Sequence, residues 1–222
     1  MLRRSPLHYY DNIMAPSLEL GVRKRGLYKV SALSNRSFDY HPHSLHRMPV
    51  STLTLNDGNK VPWIAFGTGT ALYRKDVQHA VTLALQSGFI HLDGAQEYRN
   101  EETLGAAIAA SGKPRSELFV TTKLGGLEGE ATPKSALEVC LRKLGLNHVD
   151  LYLVHHAHVH INRLKEVWKG MEEARNAGLT KSIGVSNFTV DHLREILEVA
   201  TIPPAVNQVK CAVLAFRVAH PY

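Results

Sequence analysis

Residues 149–155 read Val149-Asp150-Leu151-Tyr152-Leu153-Val154-His155, a short apolar run that ends on an imidazole. A run of this length and composition is the signature of a strand buried on both faces, as parallel strands are. The same design recurs on either side. Upstream, Phe89-Ile90-His91-Leu92 runs into Asp93, and Leu118-Phe119-Val120-Thr121-Thr122 runs into Lys123. Downstream, Lys181-Ser182-Ile183-Gly184-Val185 runs into Ser186-Asn187, and Ala205-Val206 into Asn207-Gln208. Helical patterns separate the runs, and strands alternating with helices imply right-handed βαβ crossovers. In a barrel all the strand C-terminal ends meet on one face, where barrel enzymes keep their chemistry. Residues remote in sequence then share one pocket.

The strands are expected to start near 63, 89, 118, 149, 181 and 205, the first being Trp63 to Gly67. Residues 52–62 read as a hairpin, with Leu53-Thr54-Leu55 and Lys60-Val61 flanking a turn at Asn56-Asp57-Gly58-Asn59. Helical spacing over 75–87 closes on Gly88, and later helices close near Gly112, Gly145 and Gly178, as left-handed C-caps do. Thr132-Pro133 supplies a capping hydroxyl and a proline suited to the first helical position. Leu137, Cys140, Leu141, Leu144, Trp168 and Met171 read as core faces of helices. A full eight-stranded barrel takes about 250 residues. With residues 1–49 set aside, the chain has room for six βα units, so the expected fold is α/β: an incomplete TIM (β/α)8-type barrel with an N-terminal β-hairpin.

The 222 residues carry a net charge of +6, unevenly spread. Residues 1–49 hold eight Lys/Arg against three Asp/Glu, and the remainder holds 18 against 17. The barrel region is therefore near neutral, which argues against a nucleic-acid partner there. No apolar run approaches the ~18–20 residues of a membrane span. Two cysteines, Cys140 and Cys211, make no disulfide framework, so a reduced compartment fits and the cytoplasm is the expected location. Residues 1–49 lack periodicity and read as a basic, disordered extension before a barrel domain over 50–222. A mitochondrial address follows only if residues 1–47 act as a presequence. Met48 is the alternative start. A monomer is expected.

Asp93, Tyr98, Lys123 and His155 make one coherent chemical set. A phenol titrates near pKa ~10, too high for easy proton transfer at neutral pH, and a neighbouring ammonium lowers that value. Lys123 is the candidate neighbour, and Asp93 can pair with it and hold it charged. His155 can donate a hydrogen bond to a substrate carbonyl. A tuned acid plus an orienting donor suits carbonyl reduction by hydride from a cofactor. Each residue alone has a plainer reading: Asp93 a turn cap, Tyr98 a packing ring, Lys123 a loop lysine, His155 a core histidine. Their placement at successive strand ends favours function. The alternating histidines of His155-His156-Ala157-His158-Val159-His160 invite a metal reading. With no cysteine near and no carboxylate placed to complete the site, no metal is expected. Gly67-Thr68-Gly69-Thr70 could approach a phosphate or a substrate, though it lacks the spacing of a Rossmann loop.

Several words resemble the aldo-keto reductase family. They are Gly67-Thr68-Gly69-Thr70, the segment from His91-Leu92-Asp93 through Tyr98 to Glu101, Thr122-Lys123-Leu124, and Asp150 through His155. Ile183-Gly184-Val185-Ser186-Asn187-Phe188 and Ala205-Val206-Asn207-Gln208-Val209 complete the set. The style is nearest to the fungal keto-amide and polyketone reductase branch. The resemblance implies a (β/α)8 barrel closed at its base by the hairpin, with NADPH across the strand ends and a small-molecule carbonyl as substrate. It implies Tyr98 as proton donor, Lys123 and Asp93 as its tuning pair, and His155 as the residue that orients the carbonyl. It further implies that Ser186, Asn187 and Gln208 hold the nicotinamide carboxamide and that Thr70 and Asp93 line the ribose.

The chain also departs from the family pattern. His156 stands where Trp or a small polar residue is usual. After Lys210-Cys211, the residues Ala212 to Ala219 precede His220-Pro221-Tyr222, and the segments that would form strands seven and eight do not follow. A C-terminally truncated family member is therefore expected. Two other readings compete with an NADP-dependent reductase: a non-catalytic barrel fragment or interaction product, and a Schiff-base barrel enzyme using Lys123 as nucleophile.

Overall fold

Alternation along each strand decides which side chains face which layer. On Phe119–Leu124, Val120 and Leu124 join the main core under the helices, whereas Phe119 belongs to a smaller cluster with Leu151 and Leu153. A computed structural model describes residues 50–209. They lie in one unit of the chain, Met48–Tyr222. The expectations for residues 1–49 and for 212–222 fall outside the described residues.

The described residues open with a hairpin of β1 (Thr52–Thr54) and β2 (Lys60–Pro62), paired antiparallel with Leu53 opposite Val61. Gly58 takes φ 84° in its turn, as the Asp-Gly signal predicts. Six parallel strands follow: β3 (Phe66–Gly67), β4 (His91–Asp93), β5 (Phe119–Leu124), β6 (Val149–Val154), β7 (Thr180–Ser186) and β8 (Asn207–Gln208). They are hydrogen-bonded in strict sequence order. That order is the winding of a barrel, since a doubly wound sheet reverses direction part-way. The sheet curls, and five helices cover its outer face: α1 (Gln78–Gln86), α2 (Glu101–Ala110), α3 (Pro133–Leu144), α4 (Leu164–Asn176) and α5 (Val190–Leu197).

The local signals explain these boundaries. Gly88, Gly112, Gly145 and Gly178 all carry positive φ just past a helix. Thr132 accepts from Ser135 N at 3.2 Å in a capping box, with Pro133 opening α3. The core faces expected of α3 and α4 are buried, from Leu137 and Cys140 to Trp168 and Met171. The hairpin sits beneath the inner face of the sheet. Val61 packs on Phe119, Leu151 and Leu153, and Asn59 Nδ2 donates to Ser182 Oγ at 3.0 Å. Asp150 locks the same end. Its carboxylate takes Arg115 at 2.6 Å, Lys181 at 2.7 Å and Val120 N at 2.9 Å.

One strand differs from expectation. The run Trp63 to Gly67 is paired only at Phe66 and Gly67, opposite Leu92 and Asp93. Trp63 and Ile64 are about two-thirds exposed, at 64% and 63%. An apolar run forms a strand only where its backbone pairs, and Trp63 N donates instead to Ser51 O at 2.9 Å, beside the hairpin.

Candidate active site

Lys123 points inward near the end of β5 and is almost wholly buried. Its ammonium donates to Asp93 Oδ1 at 2.7 Å, to Gly94 O at 2.9 Å and to Tyr98 Oη at 3.4 Å. An ammonium has three N–H bonds, and this geometry uses each of them. Burial draws Lys123 below its ordinary pKa, and the Asp93 carboxylate opposes that pull.

Tyr98 arrives from a different direction. It closes a 3-10 turn over Gln96–Tyr98, after which Arg99 takes a left-handed φ of 53°. Asn100 fastens this turn to the loop after β3 by donating to Thr68 O at 2.8 Å and Leu72 O at 3.0 Å. Gly69 lies flat against the Tyr98 ring, and a Cβ there would stand 2.7 Å from Tyr98 Cζ. The Gly67-Thr68-Gly69-Thr70 word thus makes room for the phenol. The Tyr98 phenol departs from expectation. Burial first, then the Asp93 and Glu97 carboxylates, push it up to about 12, in the direction opposite to the lowering expected from Lys123.

His155 follows β6, with its N–H on Leu124 O at 3.0 Å. Its ring meets that of Tyr98 edge to face, centroids 5.5 Å apart. Burial, with His156 and Lys123 adding to it, pulls the imidazole down to about 3, so the ring is neutral at physiological pH. Nδ1 lies 3.1 Å from Glu97 Oε2. The ring does not aim a hydrogen bond at that oxygen, and Nδ1 is buried without a hydrogen-bond partner among the described residues.

The residues expected to hold a cofactor gather on the far side of His155. Ser186 Oγ donates to Gln208 O at 2.8 Å, and Asn187 N donates to the same oxygen at 3.0 Å. Asn187, at φ 57°, extends Nδ2 to His155 O at 3.3 Å and to Ser186 Oγ at 2.9 Å. Thr70 stands exposed on the loop after β3, also with positive φ, 49°. Asp93, Tyr98, Lys123 and His155 therefore converge, with Ser186, Asn187 and Gln208 beside them and Thr70 on the rim.

The sequence model of the Aldo/keto reductase family matches residues 63–221. The chain belongs to this family. Among the relatives of this aldo/keto reductase chain is the NAD/NADP-dependent indole-3-acetaldehyde reductase of Schizosaccharomyces pombe, 40% identical over 174 residues, which are 74% of this chain and 61% of that protein. An aldo-keto reductase of Mycolicibacterium vanbaalenii is 42% identical over 162 residues, 72% of this chain and 58% of its own length. The chain thus spans about six-tenths of the curated relatives it matches. The crystal structure of an aldo/keto reductase from Brucella melitensis superposes with a TM-score of 0.67 at 36% identity, covering 73% of this chain and 63% of that one. The Bombyx mori aldo-keto reductase in complex with NADP gives 0.66 at 37% identity, covering 73% and 58%.

Glu97 and Asn100 carry no role in the sequence-based expectation for this candidate site, and Gly69 was expected only as part of a word that could approach a phosphate or a substrate, not as the residue against the Tyr98 ring. The histidine segment also folds differently from an extended ladder. Residues 157–160 form a 3-10 turn, His155 and His156 stack at 4.2 Å, and His160 Nε2 bonds Gly125 O at 2.9 Å. The carboxylate that sequence could not place beside these histidines is Glu97.

Proposed function

We propose that this site reduces a small aldehyde or ketone to an alcohol with hydride from NADPH, Tyr98 giving the proton. The observation that carries the reading is the Lys123 ammonium, which touches both Asp93 and the Tyr98 hydroxyl. A phenol held near 12 keeps its proton at neutral pH, as a proton donor must. The alkoxide left by hydride addition is about as basic as hydroxide, well above any phenolate. Proton transfer from Tyr98 is thus downhill only after the carbonyl carbon has been reduced, and Lys123 steadies the phenolate that remains. Neutral His155 keeps one N–H to orient the carbonyl oxygen.

The residues present fit a nicotinamide. Asn187 and Gln208 carry side-chain amides, Ser186 a hydroxyl, and together they offer the donors and acceptors that a carboxamide needs. A reduced nicotinamide bound there supplies the hydride. The NADP complex of the Bombyx mori relative and the aldehyde named for the Schizosaccharomyces pombe relative support the cofactor and substrate class. Schiff-base chemistry at Lys123 fits less well. Its three N–H bonds are committed, and the paired ammonium has no lone pair to attack with.

One observation favours the non-catalytic alternative. Among the described residues, β3 and β8 each have a single neighbour, so the curled sheet has two edges. The deciding experiment incubates the 222-residue protein with NADPH and a panel of aldehydes and ketones. NADPH loss matched mole for mole by alcohol supports the reductase; no alcohol from any carbonyl supports the alternative.

A further inference from the structure

Glu97, His155 and His156 each bring a ligating atom within 4.8 Å of the other two. Glu97 Oε2 lies 3.1 Å from His155 Nδ1 and 3.7 Å from His156 Nε2. Two imidazoles and one carboxylate are the donor set of zinc sites that keep an open position, and bonds of ~2.0–2.1 Å place tetrahedral ligands about 3.3 Å apart. The two separations straddle that value. His155 Nδ1 is buried, has no hydrogen-bond partner among the described residues and stands within ion-pair distance of the carboxylate. The Glu97 and His156 side chains are about one-third exposed, 32% and 30%, which leaves an entry path from solvent.

We propose that Glu97, His155 and His156 form a binding site for a divalent transition-metal ion of the zinc class. The part-exposed His156 ring leaves its 4.2 Å stack on His155 so that both in-plane lone pairs meet the ion, and the three side chains then fill three tetrahedral positions and leave the fourth to water. A metal on His156 Nε2 leaves the ring proton on Nδ1, 3.4 Å from the Asn187 amide nitrogen. Both groups are then donors, so that contact is given up as the His156 ring turns, while Asn187 keeps its bonds to His155 O and Ser186 Oγ. The site does not rest on the reductase reading.

Zn²⁺ is titrated into the full 222-residue protein against a chromophoric chelator, with Co²⁺ as the spectroscopic probe of geometry. The expected result is one ion per chain at micromolar affinity or tighter, with the intense visible bands of tetrahedral cobalt. Glu97→Gln and His156→Ala should each weaken binding about tenfold or more. Both side chains are part-exposed, and a thermal melt of each variant checks that it folds. A His8→Ala/His41→Ala/His43→Ala/His46→Ala variant controls for the histidines of the N-terminal segment and should bind like the parent. Millimolar affinity in the parent, unchanged affinity in both site variants, or binding lost in the control overturns the proposal. A protein that binds metal at this site but reduces nothing counts against the reductase reading alone.

Discussion

At the scale of single residues, the account turns on how Lys123 and His155 are charged. Lys123→Met leaves the Asp93 carboxylate without its cation beside the phenol, and nothing then steadies a Tyr98 phenolate. Turnover should fall by about 10²-fold or more. Leaving a largely buried charge unpaired should also destabilise the protein by about 3 kcal/mol. A variant with the parent's pH–rate profile and melting temperature would make Lys123 an ordinary loop lysine. His155, held down to about 3, should show no imidazole titration by NMR between pH 8 and 5. Its folded value lies below the unfolded ~6.5, so the stability it contributes is whole above pH ~6.5 and is lost as acid approaches pH 3. A titration midpoint near 6.5 would contradict the burial argument. The identity of both residues was legible in the sequence, because each ends an apolar run. The direction of the Tyr98 shift was not legible. It depends on how much water the fold removes and on a second carboxylate, Glu97, whose position a 3-10 turn sets.

At the scale of elements, Asp150 is the tie that joins β5, β6 and β7 below the catalytic face. Burial alone would raise its carboxyl; Lys181, Val120 N and Arg115 outweigh burial and hold it below the ordinary range. Asp150→Asn should therefore cost about 1–3 kcal/mol. The difference between parent and variant should be full above pH ~4 and shrink as pH falls further, because the parent then gains the proton that the amide mimics. A difference that persists unchanged at pH 2 would place its origin in packing. Strand and helix order was readable because Gly stops and apolar runs are local signals. The short β3 was not, since Trp63 gives its backbone N–H to Ser51 O beside the hairpin, a contact that no local signal announces.

At the scale of the whole molecule, the described sheet is tightest at its centre. Strands β5 and β6 are buried along their full length, whereas β3 and β8 hold two paired residues each and lie at the edges. Amide exchange should be slowest in β5 and β6 and fastest in β3 and β8; the reverse order would mean that the edges are covered. Asp93 lies in β4, Lys123 in β5, His155 just after β6 and Tyr98 in the turn at 96–98, so the proposed site is built on or beside the protected strands. The most direct test compares the parent with Tyr98→Phe for aldehyde reduction at saturating NADPH, with NADPH affinity measured in parallel by fluorescence. Turnover should fall about 10²–10⁴-fold while NADPH affinity stays within about twofold, because the phenol acts on the carbonyl oxygen. Turnover near that of the parent in the Phe variant would contradict the account.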